Sequence, residues 1–258
     1  SERAPARAAM EKLISYRGTD ELKELPFGLV RIYPEALNWL RGARGELFMA
    51  ARLAKLGPAW TVLHSVPVGD RGSDIDHLVI GPAGVFPINT KRLIDRDIRV
   101  DGERFRSDGW KTQYLRNSAF EARRVVDVMN RAGLSAPVLP IIALSGARSV
   151  RVKSPPHWEG VTVGVATTKE VVKRLKKRSH VLSPEQVAGI ASALKDSTAW
   201  ARSAPRSDHD PELVQAFQRI DRGVGRLTLL ILFAGGALMI GTAWWVGLSI
   251  SNLFSLLS

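Results

Sequence analysis

The sequence predicts an α/β domain with a central mixed sheet flanked by helices, followed by one C-terminal transmembrane helix. Along residues 34–200 the patterns run helix, three strands, helix, two strands and two helices, which is the element order of an α/β domain. Residues 227–258 carry no charged side chain, whereas the residues before them carry all 37 lysines and arginines. The chain therefore divides into a basic part that can fold in water and an apolar tail.

The N-terminal half contains the first helix and three strands. Residues 1 to about 24 are polar and mixed in charge, which predicts a loose or partly helical arm, and we assign this arm to residues 1–33. Apolar residues recur at helical spacing from residue 34 onward, but Gly42 and Gly45 interrupt the pattern, so we expect the main helix over residues 45–56. Short apolar runs predict strands at residues 61–66, 74–80 and 84–91. Pro87 is unusual in a central strand, and we expect an irregularity there.

The C-terminal half predicts a hairpin around Asp101 and Gly102, and then a long amphipathic helix over residues 113–132. The remaining elements follow as strands at residues 138–146 and 161–166 and helices at residues 168–178 and 184–197. Ser183 is predicted as the N-cap of the last helix, with Pro184 at its first position. We therefore assign the domain to residues 34–200 and a linker with a juxtamembrane segment to residues 201–226.

The apolar tail predicts a single transmembrane helix over residues 227–250. A spanning helix needs about 20 apolar residues, and this run provides them. Arg219, Arg222 and Arg226 precede it and no charge follows, so the positive-inside bias predicts a cytoplasmic domain on the inner face of the cell membrane.

The amino-acid composition excludes some classes of function and favours others. The chain contains no cysteine, which excludes a disulfide framework, a cysteine zinc site and a thiol nucleophile. Its net charge of +12 favours a polyanionic partner, either nucleic acid or anionic lipid. A basic charge spread evenly over the surface is the alternative.

A group of polar residues falls at the ends of neighbouring predicted elements. Asp74 and Asp76 lie two apart on the second strand, and so do Asn89 and Lys91 on the third, so each pair shares a face. A tight turn joins these strands, and Glu46 on the preceding helix can approach the same sheet end. We expect Asp76, Asn89, Lys91 and Glu46 to form one cluster.

This cluster has the composition of a metal-dependent hydrolytic site. Oxygen ligands from Glu46, Asp74, Asp76 and Asn89 would suit magnesium, a hard cation. A lysine beside the metal, here Lys91, would position a water or stabilise developing negative charge. The alternative is that Asp76 caps a turn and Lys91 points to solvent.

The stretch from Gly45 to Arg92 resembles the nuclease-related domain, called NERD, which is similar to restriction-endonuclease-like folds of the PD-(D/E)xK type. The motifs that carry the resemblance are Gly45-Glu46, DIDH from Asp74, Gly81-Pro82, GVF from Gly84, Asn89-Thr90-Lys91 and YLRN from Tyr114. It covers roughly residues 37–133, and more loosely extends to residue 194.

The resemblance implies Glu46, Asp76 and Lys91 as the core of a nuclease site that uses magnesium to hydrolyse DNA or RNA. Asn89 departs from the family pattern, because the general nuclease motif has Asp or Glu there. An amide still offers an oxygen to magnesium but contributes no charge. The alternative is a catalytically inactive module that binds nucleic acid or a protein at the membrane.

The basic segment at residues 169–178, KEVVKRLKKR, is the second candidate for anion binding. It would contact either nucleic acid or the anionic surface of the membrane. The sequence leaves both partners open.

Overall fold

The computed structural model describes residues 3–68, 74–196, 200 and 211–255, with side chains as far as residue 233. Its helices are α1 (Arg7–Ile14), α2 (Pro34–Leu53), α3 (Tyr114–Arg131), α4 (Val171–Lys176), α5 (Pro184–Lys195) and α6 (Pro211–Ser255). Its strands are β1 (Leu22–Leu25), β2 (Leu29–Ile32), β3 (Thr61–Pro67), β4 (Asp74–Gly81), β5 (Gly84–Arg92), β6 (Asp97–Asp101), β7 (Arg104–Ser107), β8 (Trp110–Lys111), β9 (Ile141–Ser145), β10 (Ser149–Ser154), β11 (His157–Trp158), β12 (Val161–Thr162) and β13 (Gly164–Thr167).

The chain divides into two compact units. The first contains Ser1–Lys12 and Asn38–Pro211, and the second contains Leu13–Leu37 and Glu212–Ser258. This division differs from the predicted bounds, because residues 1–12 belong with the α/β domain.

The first unit is built on a five-stranded sheet in the order β13-β9-β5-β4-β3. Strands β3, β4 and β5 are antiparallel, whereas β5, β9 and β13 are parallel, which confirms the predicted central mixed sheet. One face packs on α3 and α5 through residues such as Val125 and Ile190. The opposite face packs on α2 and α4 through residues such as Met49 and Leu175. Helices therefore cover both faces of the sheet.

A second sheet, in the order β10-β6-β7-β8, packs beside this core. Its inner face contributes Ile98, Val100 and Phe105 to a cluster with Leu115 of α3. The predicted hairpin around Asp101 and Gly102 is confirmed as β6–β7. The pairing of β10 with β6 could not be read from the sequence, because it joins segments about fifty residues apart.

The predicted break in the first long helix is wrong. Helix α2 runs without interruption across Gly42 and Gly45. A Cβ built on Gly45 would lie 3.3 Å from Cβ of Arg92 on β5, so the missing side chain lets helix and strand approach closely. Gly45 is thus explained by packing and not by a helix end.

Pro87 lies inside β5, where its missing N–H falls between two stretches of pairing. It pairs with Leu78 of β4, but the ladder to β9 begins only at Ile88. On the other side of Pro87, Val85 forms an isolated bridge with Val138. The predicted strand at residues 138–146 is accordingly shorter, and the predicted strand at residues 161–166 is divided into β12 and β13.

The second unit combines the hairpin β1–β2 with α6, so the predicted N-terminal arm contains regular structure. A Cβ on Gly223 of α6 would lie 2.5 Å from Val30, and the helix therefore rests directly on the hairpin. Leu213, Phe217 and Ile220 recur at helical spacing and are buried.

Within the residues that the structure describes, no helix combines the length and apolar composition needed to cross a membrane. The predicted span at residues 227–250 lies, from residue 234 onward, outside the described side chains, and residues 201–210 of the predicted linker lie outside the described residues. The transmembrane helix stays a prediction.

Candidate active site

Three elements bring Glu46, Asp76 and Lys91 to one open cleft of about 640 Å³ in the first unit. Glu46 projects from α2, Asp76 from β4 and Lys91 from the end of β5. The close approach of α2 to β5 at Gly45 positions the glutamate above the strand ends. The cleft also has a cationic lining, made by Arg41, Arg92 and Arg96.

Asp76 occupies the point where β4 and β5 stop pairing. The last pair of their ladder is His77 with Ile88, and beyond it the backbone N–H of Thr90 donates to Asp76 Oδ2 at 2.6 Å. The carboxylate thus replaces a backbone acceptor between the two strands. This hydrogen bond fixes the orientation of Asp76 at the cleft.

The carboxyl groups in the cleft are in an unfavourable environment for their charge. Burial, reinforced by the negative charge of Asp76, raises the pKa of Glu46 to about 9, although Lys91 opposes the shift. Burial also raises the pKa of Asp76, against the opposing effects of Lys91 and of the Thr90 hydrogen bond. A cation bound beside these groups would favour their ionised forms.

Asn89 does not line the cleft but faces α3. Its side-chain amide donates from Nδ2 to Oε1 of Glu121 at 2.7 Å, and both side chains are buried. Burial, with the nearby charge of Asp76, raises the pKa of Glu121 to about 8. Asn89 Oδ1 and Glu121 Oε2 are buried without a hydrogen-bond partner among the described residues.

The sequence interpretation missed Glu121. The available signal was an acidic residue on the apolar face of an amphipathic helix, between the buried Ser118 and Val125. A buried carboxyl at such a position needs a partner, because desolvation opposes its charge.

Asp74 and His77 lie on the same strand as Asp76 but differ from it in their surroundings. Asp74 opposes Pro67 at the start of β4 and is outside the lining of the cleft, although its charge contributes to the raised pKa of Glu46. His77 is fully buried, with its Nδ1 2.8 Å from Nδ1 of His64. Burial lowers the pKa of His77 to about 3, so this histidine is a neutral part of the sheet core.

The donor atoms in the cleft fit magnesium held partly by the protein. In the described part of the chain, no three Asp, Glu or His side chains converge as a closed metal cage. Magnesium, however, usually binds through one or two carboxylates, and water and substrate phosphates complete its ligands. Glu46 and Asp76 would be those two carboxylates. A cation would offset the cost of burying their charges and the repulsion between them.

The fold and the cleft together define an α/β domain with an acidic pair and a lysine at one sheet end. Residues 41–145 match the family described as NERD, nuclease-related domain, which supports the resemblance carried by the motifs. The matched region begins in α2, contains Glu46, Asp76, Lys91 and Glu121, and ends with β9. No curated protein and no solved structure matches the chain.

Proposed function

We propose that this protein is a magnesium-dependent nuclease that hydrolyses phosphodiester bonds of DNA or RNA in the cleft at the end of the five-stranded sheet. The observation that carries the proposal is the presence of Glu46, Asp76 and Lys91 in one open cleft that is also lined by arginines. The match of residues 41–145 to the nuclease-related domain supports it.

Each side chain has a role that follows from its charge and position. Glu46 and Asp76 would hold magnesium, which when bound would supply Lewis-acid polarisation of a phosphoryl oxygen. Thr90 keeps Asp76 in orientation through its backbone N–H. Lys91 offers a positive charge where negative charge develops on the phosphoryl group as water attacks.

The arginines of the cleft recruit the substrate. Arg41 and Arg92 both line the cleft, and the charge of Arg41, after the larger effects of burial and of Arg44, lowers the pKa of Arg92. Such concentrated positive charge is relieved by a phosphate, which arginine contacts through two parallel N–H donors.

A catalytically inactive nucleic-acid-binding module is the second candidate function, and the position of Asn89 favours it. Asn89 stands where the nuclease pattern has a carboxylate, and its amide is engaged by Glu121. We propose that Glu121 takes the place of the missing carboxyl from the neighbouring helix; burial raises its pKa to about 8, so it contributes negative charge above that pH. If this compensation is insufficient, the cleft would bind phosphates without hydrolysing them.

We also propose that residues 227–250 anchor the protein in the cell membrane with the domain on the cytoplasmic side. The support is the absence of charge from residue 227 onward and the arginines before it. The anchor would confine the cleft to nucleic acid near the membrane. Separation of membrane and soluble fractions, with and without residues 227–258, tests this part independently.

Cleavage of labelled DNA and RNA by the purified chain, with magnesium or with a chelator, tests the nuclease proposal. We expect magnesium-dependent cleavage that is lost in Glu46→Gln and Lys91→Met and kept in Lys195→Met, a charge-matched control on α5. Binding without cleavage, unchanged by the chelator, would favour the inactive module. Absence of both would contradict both candidates.

A further inference from the structure

One face of α2 carries a line of cations that begins at the cleft and continues towards the C-terminal end of the helix. At 100° per residue, positions 41, 44, 48 and 52 fall within about 80° of one another. They hold Arg41, Arg44, Phe48 and Arg52, so three cations share the face with one aromatic ring. Phe48 is 43% exposed, and the guanidinium carbon of Arg52 lies 4.8 Å from its ring centroid.

The line of cations ends in a basic groove at the C-terminal end of α2. This groove, of about 410 Å³, has Arg52 and Lys55 on one side and four lysines from the α4 region on the other. Those lysines are Lys169, Lys173, Lys176 and Lys177. We call the α2 face and this groove together the α2–α4 track.

Among the residues that the structure describes, no acidic side chain lines the groove. Within the described residues, none of the six cations that line it forms an ion pair, and Lys176 Nζ donates instead to the backbone oxygen of Lys55 at 2.7 Å. Glu170, the acidic residue beside α4, pairs with Arg174, which is outside the groove. Six unneutralised cations around a concave surface form a site for a polyanion.

We propose that the α2–α4 track binds the phosphate backbone of the nucleic acid whose scissile bond lies in the cleft. The inference rests on the proposed function of the cleft and adds the path of the substrate. From position 41 to position 55 the track extends about 20 Å at 1.5 Å per residue. That length corresponds to roughly six base pairs of duplex at 3.4 Å each.

Continuity with the cleft favours nucleic acid over a lipid surface as the occupant. Arg41 belongs to the lining of the cleft and also begins the track, so one polymer can contact both. The concave groove fits a rod-shaped polyanion better than a flat membrane. Phe48 lies midway along the track, where its exposed ring offers a stacking surface to an unpaired base.

The test compares Lys173→Ala/Lys177→Ala with Arg131→Ala/Lys195→Ala in the full chain. Both variants remove two exposed positive charges, the second pair from α3 and α5. Fluorescence anisotropy with duplexes of 6, 12 and 24 base pairs, in chelator, measures binding without cleavage. We expect the track variant to lose about tenfold in affinity for the longer duplexes and to reduce the slope of log K against log salt by about 2.

Wild-type affinity and salt slope in the track variant would overturn the proposal, as would equal losses in the two variants. A loss confined to vesicles containing anionic phosphatidylserine would overturn it in favour of membrane binding. The cleavage assay separates the two hypotheses. If affinity depends on the track but the wild type does not cleave, the nuclease proposal is contradicted and the track proposal is supported. If the wild type cleaves and the track variant binds as tightly as wild type, the track proposal is contradicted and the nuclease proposal is supported.

Discussion

The two sheets of the first unit each hold a group of acidic residues, and the two groups differ in how their charges are balanced. Glu46 and Asp76 line the cleft at the end of the five-stranded sheet, Glu121 is buried on α3 against Asn89 of β5, and burial raises the pKa of each of them. The group on the four-stranded sheet consists of Asp97, Asp101 and Asp108, and the pKa of each is lowered.

Hydrogen bonds account for the lowered values. Asp97 accepts from Arg148 Nη2 and from Ser149 Oγ, both at 2.6 Å, and these bonds lower its pKa to about 2. Asp101 accepts from Ser154 at 2.7 Å, which lowers its pKa in the same way. These aspartates are satisfied by the protein itself and need no ligand.

The contrast separates carboxylates whose charge is balanced by donors of the protein from carboxyls that the proposed function would use. On the four-stranded sheet each negative charge meets a donor from a neighbouring strand or turn. Glu46 and Asp76, by contrast, line one cleft, where the charge of Asp76 helps to raise the pKa of Glu46, and Glu121 keeps one oxygen without a partner among the described residues. At the open sheet end, burial raises the pKa of each carboxyl although the charge of Lys91 opposes the shift, and carboxyls perturbed in this way are candidates for binding a cation.

Replacing one aspartate in each group should give the largest difference. If Asp76 is a magnesium ligand as proposed, we expect Asp76→Asn to reduce magnesium-dependent cleavage by about 10²–10³-fold. Asp101→Asn, on the four-stranded sheet, should leave cleavage within about twofold of wild type. Rates under single-turnover conditions check this, and equal losses in the two variants would remove the distinction between the groups.

The pH dependence of stability should have opposite signs in the two groups. The folded-state pKa of Glu121 is raised from 4.5 to about 8, so the wild type loses stability as pH rises through that window. Glu121→Gln has no carboxyl to ionise and lacks this loss. Between pH 4.5 and about 8, its free energy of unfolding relative to wild type should therefore increase by about 1.4 kcal/mol for each pH unit.

Asp97 contributes in the opposite direction. Its pKa is lowered from 3.8 to about 2, so its contribution to stability is present above pH 4 and is lost as pH falls towards 2. Asp97→Asn should therefore be destabilised at neutral pH and approach wild type at pH 2. Urea unfolding at several pH values measures the free energy of unfolding of both variants and of wild type. If the free energies of variant and wild type changed in parallel with pH, the raised pKa of Glu121 and the lowered pKa of Asp97 would be contradicted.

Asn89→Asp should make the open sheet end more dependent on a cation. The new carboxylate would face Glu121 Oε1, which now accepts from Asn89 Nδ2 at 2.7 Å. We expect a lower Tm than wild type at pH 8 in chelator, and a larger rise in Tm on addition of magnesium. If magnesium raised the Tm of the two proteins by the same amount, the side chain at position 89 would not interact with the bound ion.

The smallest effect concerns the exposed face of the four-stranded sheet. Arg99 lies directly between Arg151 of β10 and Arg106 of β7, and like charges in register destabilise a sheet. Arg99→Thr should raise the unfolding free energy by about 0.2–1 kcal/mol. Arg104→Thr is the control, because Arg104 opposes Asp101, and it should not stabilise the protein.

Local patterns predicted the strands that carry the site. The runs that became β3, β4 and β5 could be read from apolar spacing and turn residues, and the tight turn made β4 and β5 neighbours. That adjacency, with the two-residue period of a strand, was sufficient to expect Asp76 and Lys91 at one sheet end.

Features that depend on packing between distant segments could not be predicted in this way. Gly45 resembles a helix break until its contact with Arg92 is known. Glu121 becomes part of the site only through the packing of α3 on β5, and its partner Asn89 is 32 residues away in sequence. The hydrogen bonds of Asp97 likewise come from a strand about fifty residues further along the chain.

Titration calorimetry of magnesium binding, in two buffers with different ionisation enthalpies, tests most directly whether the open sheet end is a cation site. Because the pKa of Glu46 is about 9, this proposed ligand is largely protonated at pH 7. Binding should therefore release about one proton per ion in wild type and be lost in Asp76→Asn. Absence of magnesium binding, or binding that persists in Asp76→Asn, would contradict the assignment.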